Sequence, residues 1–275
     1  LSMLYYCEKK ILDFFNIRKD NKNKKIIDNF EEYLEKRQKT LGFTLSSEQQ
    51  KAVELINSGE KTLFLIGYAG TGKSTSSRAI LELIEEIVSY DDIIAIALSG
   101  IASQRISDTT GYNASTIQSL LVKHKEKDFF PYKVILLDEA SMVNSVTFAQ
   151  IISKISDDTI FIIVGDDGQL PAIGAGNILA DSIKYELAPI CKLTKIYRQN
   201  ENQAIAVIAN DIRKGELPNY KEEYEDFKFV DVSIGNYYSM KNSLSQNEFS
   251  DMRGENSDYI LNNILNIASN YIQNY

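Results

Sequence analysis

From about residue 60 to residue 195 the chain repeats one pattern: a short apolar run, a polar break, then apolar residues at helical spacing. The runs of strand length are Leu63–Ile66, Ile93–Leu98, Val134–Leu137, Ile160–Val164 and, more weakly, Leu187–Leu193. Near-continuous Ile, Leu and Val suit strands buried on both faces, and their alternation with helical stretches predicts a mainly parallel α/β sheet flanked by helices. One such stretch runs from Thr75 to Val88 and carries Ala79, Ile80, Leu83, Ile84 and Ile87. Ahead of the first strand, Ser46 and Gln49 read as a capping box for a helix through Ala52, Val53 and Ile56, with Gly59 as its stop.

The flanks differ. Residues 1–44 read as a small helical segment of two amphipathic pieces, about Leu4–Ile17 and Ile26–Gln38. Between them the lysine- and asparagine-rich stretch Arg18–Lys25 reads as a solvated linker. Beyond Arg198 a helix over Ala204–Arg213 leads to a turn at Gly215–Pro218, then a polar, acidic tail with one more amphipathic helix near Tyr259–Ile272. The expected division is therefore 1–44, 45–200 and 201–275, the last part too polar to supply a complete second sheet.

Composition narrows this only a little. Of 275 residues, 44% are hydrophobic and 25% charged, ordinary values for a globular chain. No apolar run approaches the ~18 residues of a membrane span, and Leu1–Tyr6 lacks the features of a signal peptide. Two cysteines, Cys7 and Cys191, make no disulfide framework, and a single histidine makes no zinc pattern, so a reducing cytoplasm fits. Cys191 reads as a small buried residue. The net charge of −8 argues against a tight global hold on nucleic acid but leaves room for a local track. That charge is uneven: residues 1–40 carry 10 basic and 7 acidic side chains, residues 216–275 carry 4 and 10.

The chemistry begins at Gly67-Tyr68-Ala69-Gly70-Thr71-Gly72-Lys73-Ser74, which fits G-x-x-x-x-G-K-[ST] between a strand and a helix. Glycines let the backbone wrap a polyphosphate, and the N–H groups converge at a helix N-terminus whose dipole favours an anion. Lys73 would reach the β- and γ-phosphates of ATP and Ser74 would place its hydroxyl on Mg²⁺. At the end of the third run, Asp138 and Glu139 stand at the edge where parallel sheets bind ligands. Asp138 would hold Mg²⁺, and Glu139 would polarise the attacking water. Gln169, after Gly165-Asp166, could report the γ-phosphate. Arg198, in Tyr197-Arg198-Gln199, could stabilise transition-state charge, although a lone arginine there more often reads as a surface ion pair.

In order and spacing, several short motifs together resemble superfamily 1 DNA helicases of the RecD/TraA type. They are Gln49, the loop Gly67–Thr75, Ser99-Gly100-Ile101-Ala102, Ala114-Ser115-Thr116-Ile117, Asp138-Glu139-Ala140-Ser141-Met142, Gly165-Asp166-x-x-Gln169-Leu170-Pro171 and Tyr197-Arg198-Gln199. The resemblance covers Leu45 to about Asn200. It implies a RecA-like P-loop NTPase domain that hydrolyses ATP while stepping along single-stranded DNA, usually 5′ to 3′, and unwinds tailed duplexes. By position it implies that Gln49 bonds the adenine, and that Gly67, Ala69, Gly70, Thr71, Gly72, Lys73, Ser74 and Thr75 form the nucleotide site. It also sets Ser99, Gly100, Ser115 and Thr116 against the DNA strand. On the residues alone, Ser99-Gly100 reads as a strand-to-helix turn and Ser115-Thr116 as a helix cap.

Three departures stand out. Gln118 replaces a histidine common in such proteins, and Lys123–Pro131 is short where relatives carry a duplex-splitting hairpin. No later motif of a second motor domain is found, so the chain reads as a first motor domain with an incomplete second, which alone would hydrolyse ATP slowly and unwind nothing. The alternative is a P-loop ATPase or nucleotide-binding interaction module without unwinding activity. The sequence names no protein partner.

Overall fold

The computed structural model describes residues 2–195 and, beyond them, residues 208, 211, 212, 215 and 216. The 2–195 stretch lies within one compact unit, Leu1–Glu201. The helix expected over Ala204–Arg213 falls mostly outside the described residues, and the one near Tyr259–Ile272 wholly so.

Six strands form one parallel sheet in the order β3-β2-β4-β5-β1-β6. They are β1 (Thr62–Gly67), β2 (Ile93–Ala97), β3 (Ala114–Thr116), β4 (Val134–Leu137), β5 (Ile160–Gly165) and β6 (Ile190–Leu193). All five expected strands are present. The weakest starts late, at Ile190, because Pro189 has no N–H to pair and contributes only its carbonyl, which accepts from Phe64 N at 2.9 Å. The sequence reading missed β3. Its Ala-Ser-Thr is half-buried and polar, so no apolar run marks it, and it exists by pairing with β2 in the register Ala97↔Thr116.

Alternate side chains of each strand point to opposite faces, and helices cover both. Phe64, Ile66, Ile96, Leu137, Phe161 and Ile163 face α1 (Ser2–Lys19), α6 (Ile117–Lys123), α7 (Ser145–Ile152) and α8 (Ile178–Lys184). Leu63, Leu65, Ala95, Leu136, Ile162 and Val164 face α2 (Phe30–Leu41), α3 (Ser47–Asn57), α4 (Lys73–Ile84) and α5 (Gly100–Thr110). This explains the unbroken apolar runs: neither face of the sheet meets water. The capping box on α3 forms as expected, with Ser46 Oγ accepting from Gln49 N and Gln49 Oε1 from Ser46 N.

The N-terminal helix corrects the sequence reading. Cys7, Ile11 and Phe15 of α1 sit in the core, where the Phe15 ring lies 5.5 Å from that of Phe64 and 6.2 Å from that of Phe148. The helix runs on through Lys19, so it contains Arg18, which was expected in a solvated linker. Arg18 is instead 4% exposed. Its guanidinium donates to Thr62 Oγ1 at 2.9 Å, to the Lys61 carbonyl at 2.9 Å, to the Ser156 carbonyl at 3.1 Å, and to the Thr159 carbonyl. The residues between α1 and α2 are docked as well. Asn23 N–H bonds the Gly59 carbonyl at 2.8 Å, Lys22 pairs with Glu60, and the Asn57 amide bridges the backbone N–H and carbonyl of Ile27. The second helix accordingly begins at Phe30 rather than Ile26, while Ile26 and Ile27 pack against the core beneath it.

Candidate functional site

Because the strands are parallel, all six carboxyl ends share one edge, and the segments leaving them carry the motifs at Gly67–Thr75, Ser99–Ala102, Asp138–Met142 and Gly165–Pro171. The chain leaves β1 at Gly67 and curls back so tightly that a Cβ there would lie 2.5 Å from Thr71 Oγ1 and 3.1 Å from the Leu193 carbonyl. Gly70 and Gly72 both take φ +84, a left-handed conformation open to glycine at no steric cost, and α4 starts at the next residue, Lys73. Thr71 is fully buried and locks the curl through a 2.8 Å bond from its hydroxyl to the Tyr68 carbonyl. The Lys73 ammonium turns back over the loop and donates to the Gly67 carbonyl at 2.7 Å and the Tyr68 carbonyl at 3.1 Å.

A cleft of about 360 Å³ opens above this loop. Ala69, Gly70, Gly72, Lys73 and Ser74 form one wall, and Asp138, Glu139 and Gln169 another. The β4–β5 register, Leu137↔Ile163, brings the chain ends that carry Asp138 and Gln169 together. Gln169 Oε1 accepts from the Ser141 hydroxyl at 3.2 Å, which ties the loop after β5 to the turn after β4. Asp166 is buried and caps its own loop, its carboxylate accepting from Gly168 N at 3.0 Å.

Glu139 is the strained member. It is one of two described non-glycine residues with positive φ, at φ +52 and ψ +43, and its Oε2 is buried with no hydrogen-bond partner. A left-handed non-glycine backbone and an unsatisfied buried carboxylate oxygen both cost free energy, and together at one residue they mark a site kept for something other than folding. Burial, then the adjacent Glu139 charge, pushes the Asp138 carboxyl up to about 6, against the pull of Lys73 and Arg105. Lys73 is shifted the opposite way: desolvation lowers its pKa, while Asp166, Glu139 and Asp138 oppose that shift. An anion entering the cleft would relieve the desolvation of the ammonium, and a divalent cation would relieve the clustering of carboxylates.

Of the remaining expected residues, those that the structure describes lie outside the lining of this cleft. Thr75 lines a neighbouring groove with Ser74, Phe43 and Arg78. Gln49 is 4% exposed and its Oε1 is committed to the α3 cap, so its amide nitrogen is the end a base could still meet. Ser99 and Gly100 are exposed and Ser115 and Thr116 half-buried, at the adjoining ends of β2 and β3. Ser99 caps α5 by accepting from Ala102 N at 3.1 Å, and Thr116 caps α6 by accepting from Ser119 N at 3.1 Å, the local roles their sequence context suggested. Arg198 lies outside the described residues. Residues 124–133 form turns, pinned by Lys154 Nζ on the carbonyls of His124, Lys125 and Lys127 and by buried Phe130, with no hairpin. Sequence reasoning missed Arg105, which also lines the cleft. Its signal was faint: only helical spacing, with Thr109 four residues on, puts it on the cleft side of α5.

Residues 44–233 match the sequence model of a family described as AAA domain. The chain is 30% identical over 185 residues to the ATP-dependent RecD2 DNA helicase of Deinococcus radiodurans, covering 65% of this chain and 25% of that protein. It is 30% identical over 186 residues to the conjugal transfer protein TraA of Rhizobium radiobacter, covering 66% of this chain and 16% of that one. The chain thus spans a quarter or less of the length of these two relatives, which are of the RecD and TraA kind that the motif series resembles. Among solved structures, the Pif1 helicase from Candida albicans overlaps 64% of this chain and 45% of its own, at 23% identity and a TM-score of 0.48. No described helix is long and apolar enough to cross a membrane.

Proposed function

This chain belongs to the AAA domain family, and from that premise we propose that its cleft binds Mg·ATP and hydrolyses it, as the motor portion of a superfamily 1 helicase that moves on single-stranded DNA. The observation that carries the reading is Glu139, which lines the same cleft as the phosphate-loop lysine and carries a buried, unpartnered Oε2. The groups fit the ligand. Backbone N–H groups of the curled loop and the Lys73 ammonium suit the phosphates, while Ser74 and Asp138 supply two hard oxygen ligands for Mg²⁺. The cation, when bound, neutralises charge on the phosphate oxygens.

In this reading water adds to the γ-phosphorus as the bond to the β–γ bridging oxygen breaks, giving ADP and inorganic phosphate. Glu139 takes the proton from that water. Gln169 lines the cleft and is tied to Ser141, and in this reading it would pass the state of the γ-phosphate to the turn after β4. Arg198 would add charge stabilisation from beyond β6. The amide nitrogen of Gln49 would meet the base.

DNA contact is assigned to the adjoining ends of β2 and β3. Ser99 and Thr116 use their hydroxyl oxygens as helix-cap acceptors, which leaves each hydroxyl proton for a phosphate oxygen. Such contacts position a strand without reading its sequence, as a translocating motor requires.

The test is calorimetry of Mg·ATP and Mg·ADP on the purified chain, then ATP turnover with and without a deoxythymidine oligonucleotide, then strand separation of 5′- and 3′-tailed duplexes. Nucleotide binding with oligonucleotide-stimulated turnover supports the motor. Binding without stimulation supports a nucleotide-binding module, and absence of nucleotide binding defeats the reading.

A further inference from the structure

We infer that Arg105 is a second phosphate-binding cation of the cleft, contacting the γ-phosphate of a bound nucleoside triphosphate from within the same domain. The inference rests on the proposed nucleotide binding and adds a residue that none of the motifs contains.

Arg105 stands in the middle of α5 and lines the cleft together with the phosphate loop. Thr109, one turn on, lines the cleft with it, and Ile106, 2% exposed, anchors the helix to the core beneath them. The Arg105 side chain is itself exposed, so its charge is available to a ligand and is not committed to holding the fold. Arg105 lines the same cleft of about 360 Å³ as Lys73 and Asp138, so one ligand seated there can meet all three. In the proposed seating of a triphosphate, Lys73 and Asp138 would meet its γ end, and Glu139 and Gln169 line the same cleft.

A guanidinium presents its donors as a planar fork matched to two phosphate oxygens, and it stays charged at any pH a protein tolerates. The triphosphate carries one more phosphoryl group than the diphosphate, and that group would sit between Lys73 and Arg105. Arg105 therefore distinguishes ATP from ADP. It also lies on the helix whose N-cap is Ser99, so pulling it toward a γ-phosphate loads the segment that begins at the proposed DNA contact.

The experiment compares the parent chain with Arg105→Ala and Arg105→Lys by calorimetry, using Mg·ADP and Mg·adenylyl imidodiphosphate, a triphosphate analogue that is not hydrolysed. The alanine variant should lose about tenfold or more in affinity for the analogue. Its affinity for ADP should stay within about twofold of the parent, with an unchanged thermal midpoint. The lysine variant should fall between. Equal losses for both nucleotides, or none for either, would overturn the assignment while leaving the nucleotide reading intact. If the parent binds neither nucleotide, the nucleotide reading falls and takes this assignment with it.

Discussion

Strand β1 is bracketed by two cations, and the difference between them separates what holds this fold from what it is for. At its amino end Arg18 donates to Thr62 and to the Lys61 carbonyl, and at its carboxyl end Lys73 donates to the carbonyls of Gly67 and Tyr68. Both groups bond main-chain oxygens and both lose solvent. Burial lowers Arg18 to about 10, which still leaves it charged near neutrality, and its fork spans β1 and the turn before β5. Nothing remains to be added there. Lys73 holds only loop carbonyls, neutral acceptors that an anionic phosphate oxygen outcompetes, because charge-assisted hydrogen bonds are roughly twice as strong as neutral ones. The amino edge of the sheet is satisfied internally, while the carboxyl edge is left for a ligand to complete.

The sharpest way to break this comparison is at Glu139. Glu139→Gln keeps size and hydrogen-bonding capacity but cannot accept the proton, so turnover should fall ~10²–10⁴-fold. Mg·ATP should still bind. Steady-state phosphate release beside calorimetry separates the two, and parental turnover in the variant would remove Glu139 from the chemistry. At the other edge, Arg18→Met should leave the Thr159 carbonyl and Thr62 Oγ1 without their Arg18 donor, take one of two donors from the Lys61 carbonyl, and cost about 3 kcal/mol of stability in urea unfolding. Nucleotide affinity of the folded variant should not change. A loss of affinity with parental stability would show that the two edges are not independent. Lys73→Ala should do the reverse, weakening Mg·ATP roughly 10–100-fold. Its stability should stay within about 0.5 kcal/mol of the parent, since the bonds it gives up are to a loop.

The two edges were also unequally legible. Every described motif at the carboxyl edge could be read, because phosphate chemistry demands particular residue types at fixed spacing after a strand, and the apolar runs announced those strands. The joining of Asp138, Glu139 and Gln169 follows from parallel topology alone. What escaped notice lacked a pattern. β3 has no apolar run because an edge strand of three residues needs none. Arg105 belongs to no motif, and a lone arginine on a helix usually faces solvent. Arg18 escaped for a different reason. In a stretch with Lys19, Asp20, Lys22 and Lys24, charge density reads as solvation, and sequence does not reveal that several carbonyls at the strand starts converge on one position.

The smallest effect expected is also the one where fold and function pull in opposite directions. Asp138 has an ordinary carboxyl value of 3.8 in the unfolded chain and is pushed up to about 6 in the fold. Between those values the unfolded carboxyl has lost its proton while the folded one keeps it, so the folded state binds more protons. Stability of the ligand-free chain should therefore fall as pH rises through this window, and the loss should persist at neutrality. Asp138→Asn removes the charge and should raise ligand-free stability at pH 7, by on the order of 1 kcal/mol given partial solvent screening. Cation binding has the reverse sign, because Mg²⁺ needs the carboxylate. Mg·nucleotide affinity should climb as pH rises from 5 toward 7, with about a tenfold loss of the competent form for each unit below the midpoint. Glu139→Gln removes the adjacent negative charge and should move that midpoint down. Urea unfolding and magnesium-dependent calorimetry across the same pH series read both signs together. A destabilised Asp138→Asn at pH 7, or magnesium-dependent binding that stays flat across the window, would mean that Asp138 serves the fold rather than the ligand.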